Sequence, residues 1–303
     1  MCLRIHLLNF FSSLMVFLFL DSFSAFAEEV FTTRGPESEG DERYIYQNKL
    51  LQLALEKTTN THGAYTLKVT PIGSNTKRTM REVERGSYPN FFVQNAVTPD
   101  RLNNMIAVPF PLTLGVLGYR AAFVSEKTKV KLKSVSTLKE LQQFSILQGL
   151  GWVDNKILRN GGFGVITSSS YNGMFRQVAT DRADIFLRGV NEIFAEWNRN
   201  KDVPSLTYDD SFLIYYDFPA FFFTTKGNER AAERVLEGLQ LAYQDGDLQK
   251  IWAEEYQESI DFVTKHPRRI FSITNPLNVY PDKSYRQYLI AADIFGEDII
   301  YAD

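Results

Sequence analysis

The segment Pro89-Asn90-Phe91-Phe92-Val93-Gln94-Asn95-Ala96-Val97-Thr98-Pro99-Asp100-Arg101 holds the residues whose types and spacing point to chemistry: an apolar run, then a helix start with an arginine in its first turn. Thr98 suits the N-cap, where its side-chain oxygen takes up a free backbone N–H, while Pro99 presets φ and Asp100 complements the helix dipole. Arg101 opposes that dipole, so helix stability does not account for it. A guanidinium beside unpaired backbone N–H groups is an arrangement that holds a carboxylate or a phosphate. A solvated surface arginine is the competing reading.

The raw material for catalysis is thin. His62 and His266 are the only histidines after residue 27, and the single cysteine is Cys2. No metal-ligand cluster and no Gly-x-Ser-x-Gly segment can be read, so no cofactor or metal is expected, and carboxylate acid–base work alone stays open.

The first 27 residues read as an address: Arg4 and His6, the apolar stretch from Leu7 to Leu20, then Ala25-Phe26-Ala27 before Glu28-Glu29. That is the pattern of a secretory signal peptide cleaved after Ala27. Asn9, Ser12 and Ser13 interrupt the stretch and Asp21 closes it, short of the about 20 apolar residues a membrane span takes. No cysteine follows it to carry a lipid. The mature chain, residues 28–303, is therefore expected to be soluble, exported to the periplasm and free of disulfides. A formal net charge of −3 lacks the basic excess of a nucleic-acid binder, so no nucleic-acid partner is expected.

The elements that would position Arg101 alternate. A strand at Val30 to Thr33 leads through the polar loop Arg34 to Asp41 into a helix with Tyr46, Leu50, Leu53, Ala54 and Lys57 at helical spacing. A strand (Tyr65 to Pro71), a helix (Thr76 to Glu84) and the strand of the opening segment complete a β-α-β-α-β run. Such a run implies a parallel sheet, which binds ligands beyond the carboxyl ends of its strands, and Arg101 lies just past one. The apolar segment Gly115 to Val124, broken only by Arg120, is long enough to leave one lobe and enter another, and the lysines at 127, 129, 131 and 133 read as a polar, solvated loop. Alternation then resumes. Ser136 is a candidate cap for a short helix, Phe144 to Gln148 a strand ending at Gly149-Leu150-Gly151-Trp152, Val153 to Arg159 a helix, and Phe163 to Thr167, Tyr171 to Thr180 and Ala183 to Leu187 a strand, helix and strand ending at Arg188-Gly189. Strands at Phe212 to Tyr216 and Ala220 to Thr225 flank Asp217-Phe218-Pro219, a return crossing. Helices at Glu229 to Tyr243 and Asp247 to Tyr256 pack on the first lobe. Residues 261–303 are expected to wrap a lobe without forming a third domain.

Together these residues resemble the bacterial extracytoplasmic solute-binding proteins of the polar amino-acid uptake type. Val97-Thr98-Pro99-Asp100-Arg101 is similar to that family's Thr-x-x-Arg element, Val108-Pro109-Phe110-Pro111 stands where a Phe-Ser-x-Pro-Tyr-like segment usually does, and Asp181-Arg182-Ala183-Asp184 resembles its Gly-Arg-x-Asp element. The likeness spans nearly all of residues 28–256. It implies an α/β, two-lobed periplasmic-binding-protein type 2 fold, each lobe a mostly parallel sheet flanked by helices, joined by two hinge strands. The expected division is 28–120 with 219–303 as lobe I and 121–218 as lobe II, with Tyr119, Arg120, Ala121, Phe218 and Pro219 at the hinge.

The resemblance also implies a site. Arg101 would hold the ligand's carboxylate, Thr98 would cap its helix, and Gln94, Asn95 and Ala96 would offer hydrogen bonds. The glycine turn from Gly149 through Gly151 to Trp152 would present backbone N–H groups, with Trp152 adding a broad apolar face unless it is a core tryptophan. The carboxylate that usually holds the ligand's ammonium falls at Gly189 here. Either Glu192 substitutes or the ligand carries no α-ammonium. Arg188 is placed to face the cleft, or else pairs with Glu192 or Asp184. The family's first-strand loop is replaced by Arg34 to Asp41, which leaves the ligand class open.

The expected function is a monomeric periplasmic receptor that closes its lobes on a small anionic organic solute, amino acid-like or a carboxylate, for uptake by an ABC transporter through a membrane permease. The alternatives are a ligand-sensing input protein for a membrane receptor, and a cleft enzyme on the same fold.

Overall fold

A computed structural model describes residues 28–37, 39, 41, 43–296 and 299–301. The signal peptide expected over residues 1–27 lies outside them.

The first part of the chain builds β1 (Glu29–Thr33), α1 (Ile45–Lys57), the short α2 (Thr59–His62), β2 (Tyr65–Val69), α3 (Thr76–Glu84), β3 (Phe91–Ala96), α4 (Pro99–Asn104) and β4 (Met105–Val108). The expected strand, helix and strand alternation is present, and β4 adds a strand the sequence pattern did not mark. Tyr46, Leu50, Leu51, Ala54 and Leu55 of α1 are buried, as the spacing requires. The second part builds β5 (Tyr119–Ser125), α5 (Glu126–Leu132), α6 (Leu138–Leu141), β6 (Ile146–Gly149), α7 (Asp154–Asn160), β7 (Val165–Ser168), α8 (Tyr171–Ala179), β8 (Ile185–Gly189), α9 (Ile193–Asn200), β9 (Leu206–Tyr208) and β10 (Phe212–Tyr215). The remainder gives β11 (Ala220–Thr225), α10 (Glu229–Gln244), α11 (Asp247–Thr264), β12 (Arg269–Ser272), α12 (Ala291–Phe295) and β13 (Ile299–Tyr301).

Two sheets result, one per lobe. The first has the order β2-β1-β3-β11-β4 and the second β13-β12-β10-β5-β8-β6-β7, with β9 also on β5. Parallel pairing joins β1 to β2 and β3, and β6 to β7 and β8, whereas β11 runs antiparallel to β3 and β4, and β5 antiparallel to β8, β9 and β10. The first sheet is thus parallel at one side and closed by antiparallel pairs at the other, whereas the second has β5 running antiparallel between two parallel sets, β13-β12-β10 and β8-β6-β7. The chain crosses between them through residues 109–118 and returns through residues 216–219, and these connections meet where Tyr216 N–H donates to the Gly118 carbonyl at 3.1 Å.

Several local expectations change. The lysine-rich stretch after β5 is the helix α5, because Ser125 caps it by accepting from Thr128 N–H. Lys127 pairs with Asp181 at 3.3 Å and Lys129 with Asp210 at 3.0 Å, so these are not simply solvated charges. Thr137, not Ser136, caps α6, because only from there does a capping box with Glu140 close.

The C-terminal segment departs further. Residues 269–272, expected with the first lobe, join the second sheet: β12 pairs parallel with β10, and β13, at the edge, with β12. Between them the chain lies across both connections. Asn275 Nδ2 donates to the Asp217 carbonyl at 2.8 Å, Arg286 pairs with the Asp217 carboxylate at 2.6 Å, and Ile290 N–H donates to the Leu114 carbonyl at 3.1 Å. Tyr285 packs edge-on against Phe221 of β11 and Phe295 lies on Tyr119 of β5. Aromatic residues without helical period, which read as a wrapping tail, are the anchors of a strap.

Candidate functional site

A cleft of about 1100 Å³ lies between the sheets, at the carboxyl ends of β3 and β6. Its first-lobe wall includes Gln47, Gln94, Asn95, Ala96 and Arg101, its second-lobe wall Gly151, Trp152, Asp154, Asn191 and Glu192, and Phe218 of the return connection also lines it. Five of the candidates drawn from the opening segment and the glycine turn, Gln94, Asn95, Ala96, Gly151 and Trp152, therefore meet Arg101 and Glu192 in one cavity.

The local sequence builds the first-lobe wall as read. Thr98 caps α4, its Oγ1 accepting from Arg101 N–H at 3.4 Å, with Pro99 in the first turn. This turn sends the Arg101 side chain back along the strand, where Nη1 donates to the Ala96 carbonyl at 2.6 Å. The Asn95 side chain is used locally, accepting from Ala96 N–H at 2.9 Å. Arg101 makes no ion pair among the described residues. Burial pushes its guanidinium down to about 10, with the charge of neighbouring Asp100 only partly opposing this.

The second-lobe wall has the opposite character. Gly149 itself does not line the cleft; it seats Trp152, since a Cβ there would stand 2.2 Å from the indole. The Gly149 carbonyl accepts from Asn155 Nδ2 at 2.8 Å, pinning the turn to α7. Trp152 is half-buried: it packs on Phe186 and lies 4.9 Å from the Arg188 guanidinium, so the core and cleft readings both hold for it.

Arg188 does not face the cleft. It is 8% exposed and held by Glu196 through Nε at 2.8 Å and Nη2 at 2.7 Å, with Glu192 at 2.8 Å. Asp184, the other partner considered, accepts from Ser145 instead. A buried guanidinium forms such a fork because each carboxylate oxygen offsets part of its desolvation. Burial works against the charge, but Glu192 and Glu196 outweigh it and hold Arg188 well above its ordinary value.

Arg120 repeats the pattern at the first residue pair of β5. It is 4% exposed, pairs with Asp154 at 3.0 Å, and lies over the rings of Tyr216 and Phe218. Tyr216 donates its hydroxyl to the same Asp154 carboxylate. Burial opposes the Arg120 charge, yet Asp154 and Tyr216 keep it raised. Tyr119, Arg120 and Ala121 belong to β5 in the second sheet, just beyond the first connection, while Phe218 and Pro219 lie in the second. Asp154 is a cleft residue that no motif marked, because its significance comes from Arg120, far away in sequence.

Position 189 explains its own glycine. A Cβ there would stand 2.4 Å from Asn191 Oδ1 and 2.9 Å from Glu192 Oε2, and Gly189 N–H donates to Glu192 Oε2 at 3.1 Å. The Glu192 carboxylate therefore reaches back into the space a side chain at 189 would fill. Asn191 Oδ1, beside it, is buried without a hydrogen-bond partner among the described residues. No group of three or more His, Cys, Asp or Glu side chains that could hold a metal ion occurs among those residues, and none of their helices is long and apolar enough to cross a membrane.

No family model and no curated protein matches the chain. Solved structures do. A putative ABC-transporter binding component from Wolinella succinogenes, complexed with lysine, is 14% identical with a TM-score of 0.56, covering 75% of this chain and 95% of that one. An ancestral arginine-binding protein bound to arginine is 14% identical with a TM-score of 0.52, covering 76% and 99%. The GluR0 ligand-binding core from Nostoc punctiforme with L-glutamate is 10% identical with a TM-score of 0.52, covering 75% and 99%. At these identities the likeness is one of fold, and the fold is the two-lobed type 2 periplasmic-binding architecture expected above.

Proposed function

We propose that this protein is an exported solute receptor that captures a small organic anion between its lobes and delivers it to an ABC-type permease. One observation carries the reading: Arg101 is a half-buried cation that faces the cleft without an ion-pair partner among the described residues, while the more deeply buried Arg120 and Arg188 each have one. A partly desolvated, uncompensated guanidinium is unfavourable until an anion reaches it. Glu192 and Asn191 on the opposite wall supply acceptors, so the solute is bipolar, its anionic end on Arg101 and a hydrogen-bond-donating end toward the second lobe. Trp152 gives the intervening part an apolar face. The solved proteins of like fold that hold lysine, arginine and L-glutamate support this class of solute.

Calorimetry on the mature protein with L-glutamate, L-glutamine, L-arginine, L-lysine and succinate tests it. At least one binds the parent, and Arg101→Ala weakens that binding by about 30-fold or more, the usual loss when one partner of a buried charge pair is removed. Parent-like affinity in Arg101→Ala, or no binding by the parent, rejects the reading.

A further inference from the structure

Gln47, on the first turn of α1, lines the cleft and is 3% exposed. Its Oε1 accepts from Gln94 N–H at 3.0 Å, and since a backbone N–H can meet only an acceptor, the orientation of the amide is fixed. Nε2 is then buried and donates to nothing among the described residues. The neighbours on its helix are the core residues Tyr46, Leu50 and Leu51, and an amide donor left unmet in such surroundings is unfavourable. Core packing therefore does not explain the residue.

The strand that holds Gln47 also anchors Arg101. Gln94 and Ala96 are two residues apart on β3, about 7 Å of extended chain, and the first receives the Gln47 amide while the carbonyl of the second receives Arg101. A cation and a neutral donor, both incompletely satisfied, thus stand along one strand of one wall.

We propose that Gln47 is a specificity-determining residue that donates through Nε2 to a second acceptor of the bound solute. The solute class narrows to small organic acids with another oxygen acceptor, a carboxylate, carbonyl or hydroxyl, about 7 Å or less from the group on Arg101. This rests on the anion-receptor reading above.

The experiment compares the parent, Arg101→Ala, Gln47→Glu and Gln47→Leu, each as the full mature chain, by calorimetry with L-glutamate, succinate and L-glutamine, and by thermal unfolding without solute. Gln47→Glu keeps the oxygen that Gln94 N–H needs and exchanges only the donor for a charged acceptor. It weakens binding of the probe the parent takes by about 100-fold, and Gln47→Leu weakens it by about 10-fold. The unfolding midpoint of Gln47→Glu stays within a few degrees of the parent. Parent-like affinity in both Gln47 variants, with Arg101→Ala impaired, overturns the inference and leaves the receptor reading standing. No binding of these three probes by the parent overturns the inference, and an unimpaired Arg101→Ala overturns both.

Discussion

The two walls of the cleft treat their arginines in opposite ways. In the second lobe Arg188 is forked by Glu196 and touched by Glu192, and Arg120 is answered by Asp154, so each cation is neutralised by the chain itself. In the first lobe Arg101, half-buried, reaches a single backbone carbonyl and, among the described residues, no carboxylate. Burial alone therefore does not mark a binding residue. What distinguishes Arg101 is that the fold desolvates a charge and leaves its compensation to something else, whereas Arg188 and Arg120 spend theirs on holding Trp152 and the α7 turn in place.

That contrast is sharpest in stability. Arg188→Met leaves Glu196, itself 3% exposed, buried without its cation, and is expected to destabilise by about 3–5 kcal/mol in urea denaturation. Arg101→Met is expected to stay within about 1 kcal/mol of the parent, or to exceed it, because it removes an uncompensated charge and strands no carboxylate. Equal losses in the two variants would break the comparison. A smaller effect tests how the second wall is seated: Gly149→Ala drives a methyl into the indole of Trp152, at a cost of about 1–3 kcal/mol and with a shift in tryptophan emission. An unshifted emission spectrum would mean that the indole rests elsewhere.

The smallest effect belongs to the outer loop of the first lobe, where charges are paired near water. The side-chain hydrogen bond from Arg43 holds the Asp41 carboxyl down to about 2. A carboxyl lowered on folding stabilises where it is ionised, so its contribution is complete above about pH 4 and disappears as pH falls toward 2. Since Arg43 is 64% exposed, that contribution is no more than about 1 kcal/mol. Unfolding midpoints of the parent and Asp41→Asn should differ slightly at pH 6 and converge at pH 2; a gap that widens on acidification contradicts the assignment.

Local signals carried the reading a long way. The Thr98-Pro99-Asp100-Arg101 start, the period of α1 and the repeated strand, glycine turn and helix at Gly149 each depend on neighbours within a few residues, and those were legible. What escaped depends on partners far apart in sequence. Glu196 answers Arg188 only because α9, which the pattern did not mark, turns it inward, and Asp154 matters only because β5 brings Arg120 behind it. Gln47 carries no motif; its role follows from a bond to a strand more than forty residues later. The lysines of α5 misled because spacing cannot report that Asp181 and Asp210 lie opposite them.

The strap has a consequence for how the molecule comes into being. Its anchors join Tyr119 to Phe295, Phe221 to Tyr285 and Leu114 to Ile290, so the strap between the lobes is made by residues synthesised after both walls of the cleft. Contacts between distant segments form late, because closing a long loop takes entropy before any contact repays it. Each lobe can assemble around its own sheet well before that, but until residues 273–296 dock, the Leu114 carbonyl and the Asp217 carboxylate lack their strap partners, and the two connections are held to each other by the Tyr216–Gly118 bond. A chain cut short at β12 would thus keep both walls of the cleft and lose the bolt that sets them against each other.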